Sequence, residues 1–250
     1  MFLIEVEKGG GIMIAISFLV IMLSGFIQGT TSFGFSLIAL PLLGIMLSLK
    51  LVVPLLVIFS LFMNSIILYN LRGYVDLKRI MILICSSIIA TPLGAYLLIS
   101  VDENTLKLVV GIIVVISAVI FKLGFSIQVK NEKLAFVPVG IISGLLNGSV
   151  SLSGPPIILF LTNQKTEKQV FRATLTSFFW ILNIATVFVF FYNGLINYQV
   201  LELSIKLLPA LMIGLFFGIK LGDRIQQRTF QNATIILLFC MGSLSIFGSF

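Results

Sequence analysis

Residues 24–41, SGFIQGTTSFGFSLIALP, lie inside a stretch from 9 to 49 that contains no charged residue. A transmembrane helix needs roughly 20 apolar residues, so this stretch is too long for one crossing. The other charge-free windows are 51–71, 80–101, 134–164, 173–201 and 229–250. All these runs are apolar throughout, whereas strands of a transmembrane barrel alternate polar and apolar residues. The sequence therefore predicts an all-α polytopic membrane protein.

The composition agrees with a membrane location and argues against several functions. Of the 250 residues, 10% are charged and 59% hydrophobic, whereas about 25% of a soluble domain is charged. The net charge of +7 is attributed to loop Lys and Arg on the cytoplasmic face, so no nucleic-acid partner is expected. There is no His and no Walker-type motif, and Cys85 and Cys240 are interpreted as small core residues. We therefore expect no enzyme, no metal site and no cofactor.

Ten helical segments are predicted from the apolar runs and the loops between them. They are residues 11–30, 35–48, 51–70, 79–98, 105–123, 134–147, 152–163, 171–192, 202–220 and 229–249. The pair within 134–163 is too short for two full crossings. Whether the two hairpins cross fully or are re-entrant is left open.

Lys and Arg are concentrated in four connections, which carry three each. These are Arg72, Lys78 and Arg79; Lys122, Lys130 and Lys133; Lys165, Lys168 and Arg172; and Lys220, Arg224 and Arg228. If each hairpin enters and leaves on the same side, these twelve lie on one face and the other four on the opposite face. A single broken crossing would instead give eight against eight. The positive-inside rule favours the first arrangement, which places both termini outside the cytoplasm in a multi-pass cell-membrane protein.

The chain is also similar to itself, because residues 24–41 align without gaps to VGIISGLLNGSVSLSGPP (139–156). The aligned pairs include Ser36 with Ser151 and, further along the chain, Asn64 with Asn183. Two repeats follow, 1–125 and 126–250, each a Gly-rich helical hairpin plus three transmembrane helices. Such a repeat changes side an odd number of times, so the two copies must be inverted. Inverted repeats are typical of secondary transporters, whose sites lie at broken helices near the midplane.

The two hairpin breaks are the candidate binding site, because each is rich in Gly, Ser and Thr and precedes a new helix. A helix N-terminus offers unpaired N–H groups and about half a positive charge. Two such ends can hold an anion without a buried Lys or Arg, and mid-span amides and one arginine are expected nearby. The candidate substrate-binding residues are Gly29, Thr30, Thr31, Ser32, Gly34, Ser36, Asn64, Asn147, Gly148, Ser149, Ser151, Ser153, Gly154, Arg172 and Asn183.

These residues also have structural interpretations that the sequence leaves open. Glycines four apart mark close helix packing, which is expected for Gly214, Gly218 and Gly222. Membrane Ser and Thr often bond the preceding turn, and the mid-span amides can bond between helices. Arg172 can be a cytoplasmic anchor whose charge reaches the interface. No Asp or Glu lies deep in a span, so a carboxylate proton relay has no candidate.

Four stretches of the chain carry a family resemblance: GFIQGTTSFGFSLIALP (25–41), GIISGLLNGSVSLSGPPIILF (140–160), Arg172-Ala173-Thr174 leading to Asn183, and GLFFGIKLGDRI (214–225). They resemble the sulfite exporter TauE/SafE family of bacterial and archaeal membrane proteins. The resemblance covers nearly the whole chain and is closest in the second hairpin. The first hairpin carries Thr31, Ser32 and Phe33 where the family has more Gly. The resemblance implies movement of sulfite, sulfonates or related organosulfur anions across the cytoplasmic membrane.

The sequence thus predicts a secondary transporter of a small anion, with one repeat rocking against the other. The alternatives are a carrier of neutral or cationic metabolites, an anion channel, and a non-transporting subunit that scaffolds a partner. The expected partners are a small anionic substrate and the lipid bilayer, and a homo-oligomer is left open.

Overall fold

The computed structural model describes residues 5–123, 132–162 and 168–222, and within these ranges the chain has nine α-helices and no strand. The helices are α1 (Glu5–Thr31), α2 (Phe35–Met46), α3 (Leu49–Leu71), α4 (Leu77–Ser100), α5 (Glu103–Leu123), α6 (Glu132–Val150), α7 (Gly154–Thr162), α8 (Lys168–Tyr192) and α9 (Tyr198–Gly222). A 3-10 turn, Arg72–Tyr74, follows α3. Nine predicted segments correspond to these helices, and the tenth, 229–249, lies outside the described residues.

Helix length separates full crossings from partial ones. The stretches long and apolar enough to cross a membrane are Gly11–Thr31, Leu49–Tyr74, Ile80–Ser100, Gln169–Tyr192 and Tyr198–Leu221. By contrast, α2 has 12 residues and α7 has 9. At 1.5 Å per residue these helices are about 18 and 14 Å long, well short of the roughly 30 Å hydrocarbon core. The chain is therefore a multi-pass membrane protein, and neither α2 nor the described part of α7 is long enough to cross on its own.

Local sequence explains two helix ends. The N–H of Thr105 donates to Asp102 Oδ2 at 2.8 Å and caps α5, and this hydrogen bond holds the pKa of Asp102 below its usual value. At the end of α8, Gly194 has a φ of +70°. Its N–H bonds to Phe191 O, and the Leu195 N–H bonds to Phe190 O at 2.9 Å, which is the Schellman pattern that glycine favours.

The outer surface is apolar, as a lipid environment requires. Along α4, Ile89, Leu93 and Tyr96 are largely exposed, and Cys85 is exposed as well. The core position predicted for Cys85 is therefore wrong. In a bilayer both the core and the lipid-facing surface are apolar, so hydrophobicity does not separate them. The other cysteine, Cys240, lies outside the described residues.

Glycines bring two pairs of helices into backbone contact. Along α1 and α9, a Cβ added to Gly29 would lie 2.9 Å from Ile219 N, and one added to Gly214 would lie 3.0 Å from Phe26 N. Close packing was predicted for Gly214, Gly218 and Gly222, and it is confirmed for Gly214 and Gly218, which both meet the backbone of α1. Along α4 and α6, Gly144 and Gly148 meet the backbone of α4 in the same way. Between these pairs, α3 and α8 pack against each other.

Candidate functional site

The chain breaks twice, between α1 and α2 and between α6 and α7, and the residue that follows each preceding helix has the same backbone conformation. Ser32 and Ser151 have φ values of +69° and +56°, a left-handed conformation that is uncommon for residues other than glycine. The N–H of Ser32 donates to Gln28 O at 2.7 Å, and that of Ser151 donates to Asn147 O at 3.0 Å. Each preceding helix therefore ends in the same turn before the next helix begins.

The two breaks correspond at a separation of 119 positions. The pairs at this separation include Ser32 with Ser151, Gln28 with Asn147, and Asn64 with Asn183. The predicted alignment of the hairpins, which pairs Ser36 with Ser151, differs from the structure by four residues, about one helical turn. Glycines spaced by four occur in both hairpins, so the sequence pattern fits either register.

A cavity of about 30 Å³ lies between the two breaks, with room for about two water molecules. It is lined by 33–37 at the start of α2 and by 151–154 at the start of α7, together with Gln28, Asn147, Ser60 and Phe179. The N-termini of both short helices thus open onto one polar cavity. None of its lining residues is Asp, Glu, Lys or Arg.

Six predicted site residues line this cavity: Gly34, Ser36, Asn147, Ser151, Ser153 and Gly154. The hydroxyls of Ser36 and Ser151 are 3.2 Å apart. The Ser153 side chain is 5% exposed, and no hydrogen bond is made by its hydroxyl among the described residues. Ser153 therefore has a free donor and acceptor at the cavity.

The other predicted site residues lie outside the lining. Gly29 and Gly148 pack against α9 and α4 respectively. The hydroxyls of Thr30 and Thr31 both donate to Ile27 O at 2.8 Å, and that of Ser149 donates to Leu145 O at 2.7 Å. Membrane Ser and Thr commonly bond the preceding turn in this way. These hydroxyls stabilise the ends of α1 and α6.

Arg172 lies behind the first break and is not part of the cavity lining. Its Nε donates to Ser32 Oγ at 2.9 Å, and its Nη2 donates to Gly29 O at 3.3 Å. The guanidinium is therefore at the C-terminal end of α1, where the helix dipole is negative. In this position it holds the Ser32 turn.

Two hydrogen-bonded branches of largely buried side chains meet at Ser60, a residue of the cavity lining. In the first branch, the Phe35 N–H at the start of α2 donates to Gln28 Oε1 at 3.2 Å. Gln28 Nε2 donates to Asn64 Oδ1 at 3.1 Å, and Asn64 Nδ2 donates to Ser60 Oγ at 3.2 Å. Gln28 and Asn64 are 2% and 0% exposed, so their amides depend on these partners.

The second branch has equivalent amides in the second hairpin and α8. Asn147 Nδ2 donates to Thr186 Oγ1 at 2.8 Å and to Asn183 Oδ1 at 3.2 Å. Asn183 Nδ2 then donates to Ser60 Oγ at 3.0 Å. Asn64 and Asn183 therefore lie one hydrogen bond behind the lining, and both amides reach the same hydroxyl.

Sequence reasoning missed several lining residues, among them Gln28, Ser60, Phe33, Phe35 and Phe179. Gln28 could have been found as a lone amide within an otherwise apolar first helix. Ser60 carries no comparable signal, because α3 and α8 bring it beside residues far away in the sequence.

The two helix ends differ in the donors they offer. α7 begins Gly154-Pro155-Pro156, and proline has no N–H. α2 begins Phe35-Ser36-Leu37, so every residue in its first turn carries one. The first four N–H groups of a helix lack intrahelical partners, so α2 presents more donors than α7.

Short helices that meet at a shared polar cavity between full-length spans are typical of membrane transporters. The model of the sulfite exporter TauE/SafE family matches residues 17–244, and the chain belongs to this family. Comparisons with curated proteins and with solved structures give no match. The family resemblance predicted from the sequence is confirmed.

Proposed function

We propose that the chain is a secondary transporter of a small anion across the cell membrane. The observation that carries this proposal is the cavity that the N-termini of α2 and α7 share. Hydroxyl, amide and backbone N–H groups line it without any carboxylate, and helix N-termini favour negative charge. The Ser36, Ser151 and Ser153 hydroxyls would contact the anion together with the free N–H groups of α2.

A sulfur oxyanion, such as sulfite or a small sulfonate, is the substrate that we propose. Such an anion presents several oxygen acceptors to donors arriving from both helix ends. The family to which the chain belongs is described as sulfite exporters, which supports the choice of sulfur. At about 30 Å³ the cavity has room for only about two water molecules, less than such an anion occupies, so binding requires the two hairpins to separate.

Two inverted repeats, 1–125 and 126–250, are part of the proposal, with both termini outside the cytoplasm. The equivalent turns at Ser32 and Ser151 support the repeats, as do the amide pairs 119 positions apart. The helix packing adds support. In the two proposed repeats, α1 corresponds to α6 and α4 corresponds to α9, so the α1–α9 pair and the α4–α6 pair are equivalent. We infer that these two glycine-packed pairs, each drawn from both repeats, are the bodies that rock during alternating access.

Flux into proteoliposomes tests this proposal. Purified protein should take up labelled sulfite or methanesulfonate with saturation, and excess unlabelled anion on the opposite side should accelerate exchange. An ohmic current without saturation would identify an anion channel instead. Preferred flux of a neutral or cationic metabolite would indicate the other kind of carrier. No saturable flux, together with a protein that co-purifies in fixed ratio, would favour a scaffold subunit.

A matched pair of serine variants links the flux to the cavity. Ser153→Ala removes the free hydroxyl at the cavity, and the KM for the transported anion should rise roughly 10- to 100-fold, as expected for one hydrogen bond to a charged group. Ser117→Ala is the control, because the Ser117 hydroxyl is buried in α5 and bonds to Ile113 O at 2.6 Å. Equal KM values for the two variants would argue against anion binding in this cavity.

A further inference from the structure

The orientation of the first hydrogen-bonded branch is fixed by the backbone. The Phe35 N–H can only donate, so the side-chain atom of Gln28 that it meets at 3.2 Å must be Oε1. Gln28 therefore directs Nε2 at Asn64, which must present Oδ1 to it. Asn64 is left with Nδ2 facing Ser60 Oγ. Amide orientations are normally assigned from such networks, and here a backbone donor sets the whole branch.

The second branch is fixed from its other end. The Thr186 hydroxyl donates to Leu182 O at 2.8 Å, because a carbonyl can only accept. Thr186 Oγ1 must then accept from Asn147 Nδ2. The same Nδ2 meets Asn183 Oδ1, so Asn183 directs its own Nδ2 at Ser60 Oγ. Both branches therefore converge on Ser60 as donors.

The Ser60 oxygen accepts two hydrogen bonds from amide groups, one from each branch. A serine hydroxyl has two acceptor lone pairs and one donor, and two amide donors occupy both lone pairs of Ser60. Six other helical serines use their proton on the carbonyl four residues earlier, namely Ser65, Ser86, Ser87, Ser117, Ser149 and Ser204. The described residues give the Ser60 proton no such acceptor, and Ser60 lines the cavity.

We propose that Ser60 is the residue that selects hydrogen-bond acceptors at this site. Its hydroxyl can only donate. The two hydrogen bonds that its oxygen accepts from Asn64 and Asn183 polarise the O–H group and make it a stronger donor. An anionic oxygen in the cavity satisfies that donor, whereas an ammonium group or a donor-only metabolite leaves it unpaired. The residue 119 positions later is Phe179, which lines the same cavity, so α3 supplies this donor and α8 does not. The inference rests on the proposed transport of an anion.

Three substitutions at Ser60 test its proposed role in proteoliposomes, with labelled sulfite and methanesulfonate as probes. Ser60→Ala removes the donor, and the KM should rise roughly 10- to 100-fold, the factor that corresponds to one hydrogen bond to a charged group. Ser60→Thr keeps the hydroxyl, and its KM should stay within about threefold of that of the unmodified protein. Ser60→Cys keeps the shape of the side chain with a weak S–H donor, and its KM should lie between those of Ser60→Thr and Ser60→Ala. Ser204→Ala is the control for loss of a buried helical hydroxyl.

The pattern across these variants decides the outcome. A KM for Ser60→Ala within threefold of the unmodified protein, or a Ser60→Thr variant as impaired as Ser60→Ala, overturns the role of Ser60. If size-exclusion chromatography shows that Ser60→Ala is not folded, the KM of Ser60→Cys is compared with that of Ser60→Thr instead. Equal KM values for these two variants overturn the role of Ser60. Absence of saturable flux in the unmodified protein would instead refute the proposed anion transport, so the two failures are distinguishable.

Discussion

Replacement of Gly144 by Ala should force α4 and α6 apart. A Cβ at Gly144 would lie 2.8 Å from both Cα and C of Ser87, and closer still to the Ser87 carbonyl oxygen. Non-bonded carbon atoms are best placed about 3.5–4.0 Å apart. The overlap is with backbone, so no side-chain rotation relieves it, and the two helices must separate by about 1 Å.

The cost follows from two opposing contributions. Overpacking of this kind destabilises a protein by about 1–3 kcal/mol, while Ala in place of Gly in a helix recovers up to about 1 kcal/mol. The overlap is with a main chain held on both sides, so a net loss of about 1–2 kcal/mol is expected. For a chain of this length that loss corresponds to a Tm lower by about 2–8 °C.

Thermal unfolding in detergent, followed by the fraction of monodisperse protein on size-exclusion chromatography, measures this shift. Gly11→Ala is the control, because a Cβ at Gly11 in α1 meets nothing within 4 Å, and its Tm should equal or exceed that of the unmodified protein. A Gly144→Ala variant that melts together with Gly11→Ala would refute the close packing of α4 on α6.

Three further outcomes are expected. Gly34 has a φ of +97°, so Gly34→Ala should lower the Tm and the maximal flux more than Gly34→Asn does, because Asn tolerates the left-handed region; equal effects would argue against strain at this turn. Arg172→Met should lower the Tm while the KM for the transported anion stays within about threefold, because the guanidinium bonds to the α1 turn; a tenfold rise in KM would place Arg172 on the anion. The chain has no His and the cavity lining no ionisable acid or base, so the KM for methanesulfonate should be constant between about pH 5 and 8, and a titration in that range would reveal an ionisable group at the site.

Much of the fold could be predicted because membrane helices have a strong local signature. Charge-free apolar windows mark most of the described helices, and the Gly-, Ser- and Thr-rich stretches contain both observed breaks. Six of the predicted site residues line the cavity because a helix start is encoded locally. The family was also recognisable from the hairpin motifs.

The remainder depended on contacts between distant elements. Glycines repeat every four residues in both hairpins, so the self-alignment could not fix their register, and Ser36 was paired with Ser151 in place of Ser32. The outward position of Cys85 could not be predicted, because lipid and protein core are both apolar. Ser60 and Gln28 gain their roles only where α1, α3 and α8 meet.

The packing of α1 against α9 has a consequence for the order of assembly. α1 is made before the other described helices, yet its glycine-packed partner begins only at Tyr198. The first hairpin must therefore remain in the bilayer without that partner until most of the chain has been inserted, whereas α4 and α6 are available to each other much earlier. Contacts this far apart in sequence slow folding. The cavity needs both hairpins in place, so it forms late, and the second hairpin provides the surface on which the first one closes.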